Sequence, residues 1–256
     1  MKKLILIAVF ALTTSIVTAQ VSFGIHVGGN FAFTQIKQDD INGNSEKEDT
    51  DPKIGVKAGV VANIPLGPVS FCPGINFVQK GFKIKSTTTT TIGGFTSTTT
   101  DDTKTTLNYV EIPLNFAYSI PVGDSKVYFG LGPVIGLGIS GKSKGESTNS
   151  TTGFPTTTDK FDYKIKFDGK KYDPNSTSPD PDGHLKRFNI GADVMAGFRM
   201  SMGIFVQVGY TYDFMNIDPE KDTQNAGHPS FKTSGVSLSV GYMIGGSSES
   251  SKKKSN

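Results

Sequence analysis

The sequence predicts an all-β chain: an eight-stranded antiparallel up-and-down β-barrel that spans a membrane. Three observations predict it. Apolar residues recur at every second position through most of the chain, and a helical period occurs almost nowhere. The intervening positions hold Gly, Ser, Asn and Ala far more often than Lys or Glu. The connections alternate between tight turns and long polar stretches, as expected when one end of a barrel faces the periplasm and the other the exterior.

The first 19 residues follow a different logic. Lys2 and Lys3 precede a short apolar run, Leu4 to Leu12, and Val17-Thr18-Ala19 offers a small-residue cleavage context. The run is far shorter than the roughly 20 residues of a membrane helix. Residues 1–19 are therefore read as a secretory signal peptide cut between Ala19 and Gln20, residues 20–245 as the barrel domain, and 246–256 as a polar, disordered tail.

Eight segments alternate in turn. Phe23, Ile25, Val27, Phe31 and Phe33 share one face of the first, with His26, Gly28 and Asn30 on the other. The second carries Ile54, Val56, Ala58, Val60 and Ala62; the third runs from Val69 to Phe77 and blurs near Lys80, which predicts a bulge or bend there. The fourth is the clearest. Val110, Ile112, Leu114, Phe116, Tyr118 and Ile120 alternate with Tyr109, Glu111, Pro113, Asn115, Ala117 and Ser119. The remaining four are led by Val127–Ile139, Phe188–Phe198, Ile204–Phe214 and Val236–Ile244. Stretches 37–52, 86–103, 141–187 and 218–230 read as long loops, and 65–68, 121–126 and 201–203 as tight turns. An even strand count leaves both termini periplasmic and the long loops extracellular.

Alternation alone fits a soluble barrel with an apolar interior equally well. The charge-poor Gly/Ser/Asn face, the displacement of charges into loops, and Tyr109, Tyr118, Tyr128, Tyr210 and Tyr212 near strand ends favour a lipid-facing apolar wall with an aromatic girdle. Composition agrees. Hydrophobic residues make up only 36%, Trp is absent, and Cys72 stands alone, so no intramolecular disulfide can form. A net charge of +3, placed partly in Lys2, Lys3 and Lys252–Lys254, leaves no basic face for nucleic acid.

Asn108-Tyr109-Val110-Glu111-Ile112-Pro113-Leu114 resembles the central motif of the PorT-like outer-membrane β-barrel family of Bacteroidota. Phe23–Asn30 and Phe77–Lys83 are similar to further segments of that family. The resemblance implies an eight-stranded barrel in the outer membrane. For some members it implies a part in secreting or sorting surface proteins. The chain departs from such barrels at its end, where Ile244 is followed by Gly245-Gly246-Ser247 rather than by a terminal aromatic.

Inside the barrel the alternation places His26, Lys57, Glu111, Asp193, Arg199, Gln207 and Asp213. Charges in a low-dielectric lumen need partners, so Glu111, Asp193 and Arg199 are expected to form one paired network, with Gln207 nearby. A side-chain-filled lumen is favoured over an ion path, because eight strands leave room for little else. Gly136-Leu137-Gly138-Ile139-Ser140-Gly141 matches a dinucleotide fingerprint but keeps strand alternation and precedes a polar loop. Asp173, Asp180 and Asp182 could hold calcium but lack complete EF-hand spacing. His26, His184 and His228 are not paired with a nucleophile by sequence. The expectation is a non-enzymatic barrel without cofactor or metal. Its partners are outer-membrane lipid, the barrel-assembly machinery and an unidentified surface or secretion partner, and it has no role with nucleic acid. The Thr runs 87–91, 98–100 and 156–158 have high β propensity and are expected to carry the hairpins above the membrane.

Overall fold

The computed structural model describes residues 21–39, 45–48, 50–171, 182–219 and 230–245. The signal region around Ala19 and Gln20, the whole Asp173–Asp180 loop, His228 and the tail lie outside them. The described residues form β1 (Ser22–Asp39), β2 (Ser45–Glu48), β3 (Asp51–Leu66), β4 (Val69–Ile92), β5 (Phe95–Val122) and β6 (Ser125–Thr151). β7 (Thr157–Lys166), β8 (Gly183–His184), β9 (Phe188–Arg199), β10 (Ile204–Asp213) and β11 (Ser230–Ile244) follow.

Eight of these strands pair in the order β1-β3-β4-β5-β6-β9-β10-β11, every neighbour antiparallel. β11 returns to β1, from Phe23↔Ile244 to Lys37↔Ser230, so the ring is closed. Closure leaves no free edge on the ring. β2, β7 and β8 lie outside it, on the far ends of β1 and β6.

The alternation that made the strands legible sorts side chains in the sense opposite to a soluble protein. Phe23, Ile25, Leu131, Val194 and Leu238 are more than half exposed on the outside. Asn30, Lys57, Asn76, Glu111, Asn115, Asp193, Asp213 and Ser239 are buried inside. Water would invert this arrangement, since apolar burial drives folding there and lone polar burial is costly. The wall is built for an apolar solvent.

Tight turns close one end of the ring at Gly67–Pro68, Gly123–Asp124 and Ser201–Gly203. At the other end the long loops read from sequence are largely strand. β4 and β5 run on to a two-residue turn at Gly93-Gly94, whose φ values of +58° and +83° only glycine adopts easily. β6 continues to Thr151 and turns back as β7. Stretches 86–103 and 141–166, expected as long loops, are mostly paired strand, and the Thr runs 87–91 and 98–100 extend the β4–β5 hairpin: this ribbon is largely exposed, so polarity there marks a solvated strand rather than a loop. Threonine hydroxyls bond across it, Thr87 to Thr100 at 3.4 Å, Thr89 to Thr98 at 3.2 Å and Thr91 to Thr96 at 3.1 Å.

Two irregularities shape the ring. The β3–β4 register shifts between Pro52 and Lys57, opposite Gln79–Gly81, close to the bend expected near Lys80. On β6 the pairing passes from Asn108↔Ser140 to Tyr109↔Gly138 and leaves Ile139 as an extra residue. Below this bulge even-numbered residues of β6 point inward; above it odd-numbered ones do, as buried Ser143 shows.

At the β1–β11 seam a Cβ on Gly28 would lie 2.0 Å from Leu238 O and 2.6 Å from Ser239 Cα, whereas one on Gly29 meets nothing within 4 Å. Gly28→Val should lower stability by more than about 4 kcal/mol and abolish the compact band that a closed barrel gives on an unboiled gel. Gly29→Val should keep that band. Equal behaviour of the two would contradict closure at this seam.

Candidate functional site

Inward positions of β4, β5, β10 and β11 converge on one lysine. Lys80 Nζ lies 2.6 Å from Glu111 Oε1 and 2.6 Å from Asp213 Oδ2, with all three side chains almost fully buried. Thr233 donates its hydroxyl to the same Asp213 oxygen. The Lys80 ammonium stands 5.4 Å from the centroid of the Tyr109 ring. A single cation thus answers two carboxylates, and Lys57 acts on Glu111 from further off.

Asp193 belongs to a separate cluster. Its two oxygens accept from Asn115 Nδ2 at 2.6 Å and Thr211 Oγ1 at 2.7 Å. Nearer the tight turns, His26 Nε2 meets Asn76 Oδ1 at 3.0 Å and the Tyr128 hydroxyl donates to Gln207 Oε1 at 3.0 Å. A void of about 30 Å³ lies among His26, Lys57, Asn115 and Asp193. It has room for a water but not for a conducting column.

The ribbon end of the lumen is capped. Phe167 packs edge-on to Tyr109 with ring centroids 5.3 Å apart, inside a buried cluster with Leu107, Ile165 and Ile217. Gly138 makes this possible: a Cβ there would lie 2.1 Å from the Phe167 ring. Arg187 Nε donates to Phe167 O at 3.0 Å, Gly138 N to Arg187 O at 2.8 Å, and Lys186 N to Ile217 O at 2.8 Å. These bonds tie the returning chain across the mouth.

The expected single network of Glu111, Asp193 and Arg199 is not what forms. Register explains it. Glu111 pairs with Gly136, and Gly136 with Asn189, so Glu111 stands level with Asn189 of β9. Arg199 lies ten residues further along that strand, or roughly 33 Å of extended chain. It sits at the turn end, within electrostatic range of Cys72 and Tyr128. Alternation assigns a face but not a height. Lys80 is the partner that alternation does not reveal, since the pattern blurs at that point, although it shares parity with Asn76 and Val78. The girdle also needs correction. Tyr118 and Tyr210 face outward, but Tyr109 is fully buried and Tyr128 bonds within the lumen.

The glycine fingerprint at Gly136–Gly141 lies wholly in β6, with no helix after it to hold a pyrophosphate. Asp182 pairs with Lys166 at 2.8 Å and accepts from Lys164 N at 3.2 Å. Among the described residues no group of three or more His, Cys, Asp or Glu is placed to hold a metal ion. His184 Nδ1 lies 2.8 Å from Asp168 Oδ1 at the rim. Partial burial would raise the Asp168 carboxyl, but hydrogen bonds from His184 and the Lys170 amide hold it below the usual range.

A closed antiparallel ring with a polar, filled interior and an apolar exterior defines the outer-membrane class of β-barrel. Residues 18–219 match the family described as outer membrane protein beta-barrel domain, and the chain belongs to that family. No curated protein matches it. Among solved structures it is similar to Ail, the attachment invasion locus protein of Yersinia pestis, at 11% identity and a TM-score of 0.35 over 88% of this chain and 99% of that one. Neisserial surface protein A matches at 12% identity and a TM-score of 0.35, over 86% of this chain and 96% of that one. The toluene transporter TodX of P. putida matches at 11% identity and a TM-score of 0.26, over 87% and 90%.

Lys80→Met would leave Glu111 and Asp213 buried without their cation. It should cost about 3–5 kcal/mol in denaturant unfolding. The exposed Lys170→Met should change stability by less than about 0.5 kcal/mol. A Lys80 variant as stable as wild type would remove this cluster from the account.

Proposed function

We propose that the ring spans the outer membrane as an eight-stranded up-and-down barrel, with termini on the periplasmic side and the β4–β7 ribbon outside. In this reading the protein is not an enzyme. It is a structural or surface-interaction barrel that holds a stiff, threonine-rich sheet above the membrane. The observation that carries the reading is the pairing of a capped, side-chain-filled lumen with strands that continue well past it. A pore would need an open channel; a simple anchor would need no ribbon.

The ring turns its polar groups inward, so its outer wall is left for lipid. A shallow apolar concavity of about 930 Å³, lined by Phe116, Leu131, Val194, Val208 and Tyr210, is a natural seat for acyl chains. Assembly would run through the machinery that inserts barrels of this class.

A second reading, an accessory of protein secretion, rests on the PorT-like motif at Asn108–Leu114. Here Glu111 of that motif binds Lys80, Tyr109 packs under the cap, and Asn108 donates to Ser140 at 2.9 Å. The motif thus has structural work at the lumen, which supports architecture before activity. Surface proteomics of a deletion strain separates the two. The first reading expects an unchanged complement of secreted surface proteins; their loss would establish the second.

A further inference from the structure

The outward face of β4, β5, β6 and β7 changes chemistry in layers. Phe77 of β4, Val110 of β5 and Leu137 and Ile139 of β6 end the apolar wall on those strands. Past them comes a belt of lysines. Lys83 pairs directly with Lys104, and Lys104 directly with Lys144, so three lysines stand in one row across three strands. All three residues are exposed. Lys142 and Lys164 pair in the next row toward the wall. Behind the belt, buried Lys53 lies within electrostatic range of Lys83 and Lys104.

Like charges directly opposite in a sheet destabilise it. The chain nonetheless spends a β-bulge on this arrangement. Without the extra residue Ile139, Lys142 and Lys144 would point into the lumen; with it they join Lys83 and Lys104 outside. Carboxylates answer only part of the charge. Asp162 bridges Lys142 at 3.0 Å and Lys144 at 3.4 Å. Asp51 stands opposite Lys83, and Asp102 and Glu146 occupy the next row up. Lys104 has only the like-charged Lys83 and Lys144 opposite it.

We propose that this belt binds the phosphate groups of an outer-leaflet glycolipid headgroup. The proposal rests on the reading that the ribbon faces outward. The order of layers matches such a lipid from tail to head: an apolar wall for acyl chains, cations for phosphates, then, past the charge-balanced row Lys85–Asp102–Glu146–Lys160, the uncharged hydroxyls of Thr87, Thr100, Thr148 and Thr158 for the sugars. Phosphate oxygens bridging neighbouring ammonium groups turn a repulsive row into a charge-assisted one.

The test uses the full refolded chain, a triple variant Lys83→Gln/Lys104→Gln/Lys144→Gln, and a charge-matched control Lys126→Gln/Lys170→Gln/Lys171→Gln. Probes are phosphatidylcholine nanodiscs carrying a bis-phosphorylated lipopolysaccharide, the same lipid after phosphatase treatment, and inorganic phosphate alone. Wild type and control should bind the phosphorylated lipid at least ten-fold tighter than the triple variant. Phosphatase treatment should erase that difference. Stability should reverse in sign: the triple variant has the higher unfolding midpoint in phosphate-free detergent, where repulsion is relieved, and the lower one with phosphorylated lipid. Equal binding by all three proteins, a stability difference of one sign in both media, or wild-type binding unaffected by phosphatase would overturn the proposal. Full displacement of the lipid by millimolar inorganic phosphate would overturn the glycolipid assignment. Gly93→Cys on intact cells keeps the underlying reading separate: labelling by an impermeant maleimide supports the outward ribbon, and its absence overturns that reading whatever the binding result.

Discussion

Pairing of β1 with β11 removes the last free edge of the ring, and the rest of the structure depends on it. In hydrocarbon an unpaired backbone amide or carbonyl finds no water, so an open sheet would expose a full row of unsatisfied groups. Closure satisfies them all and fixes the circumference at eight strands. It also fixes the two faces. One looks into a narrow interior filled by side chains, and the other into whatever surrounds the ring. Small residues at the seam, Gly28 against Leu238 and Ser239, let the two strands meet.

That geometry dictates the interior. Eight strands enclose roughly the volume of their own inward side chains. Polar groups placed there must bond to one another. The Lys80–Glu111–Asp213 cluster, the Asp193 cluster and the Tyr128–Gln207 pair are three local solutions stacked along the axis rather than one relay. Phe167 and Ile217 close the top with apolar packing. The interior is thus filled by its own side chains, and the exposed lysines and threonines gather on the ribbon, where the strands run on past the ring.

Most of the ring was legible in the sequence because each strand faces two different media. From Val110 to Ile120 every second residue is apolar and every other one small or polar, and the structure sorts them to outside and inside without exception. Where both faces meet water the alternation vanishes: at Thr87–Thr91 and Thr98–Thr100 only the β propensity of threonine marks the paired strands. Height was also illegible. Glu111, Asp193 and Arg199 share a face but stand at different levels, since level comes from register across strands that are distant in sequence. Tyr109 and Tyr128 show the same limit, because a tyrosine near a strand end can girdle the wall or plug the lumen with equal parity. The β6 bulge left no mark that alternation could reveal, yet it decides which way Lys142 and Lys144 point.

The central claim is that lipid, not protein or water, covers the apolar wall. Site-by-site quenching along β11 tests it most directly. Single cysteines at positions 236 to 241, in a background with Cys72→Ser, would carry an environment-sensitive dye in bilayers of brominated lipid. The account predicts strong quenching at Val236, Leu238 and Val240 and little at Ser237, Ser239 and Gly241, matching the exposed and inward sets of that strand. Quenching with the opposite parity, or with no alternation, would contradict it.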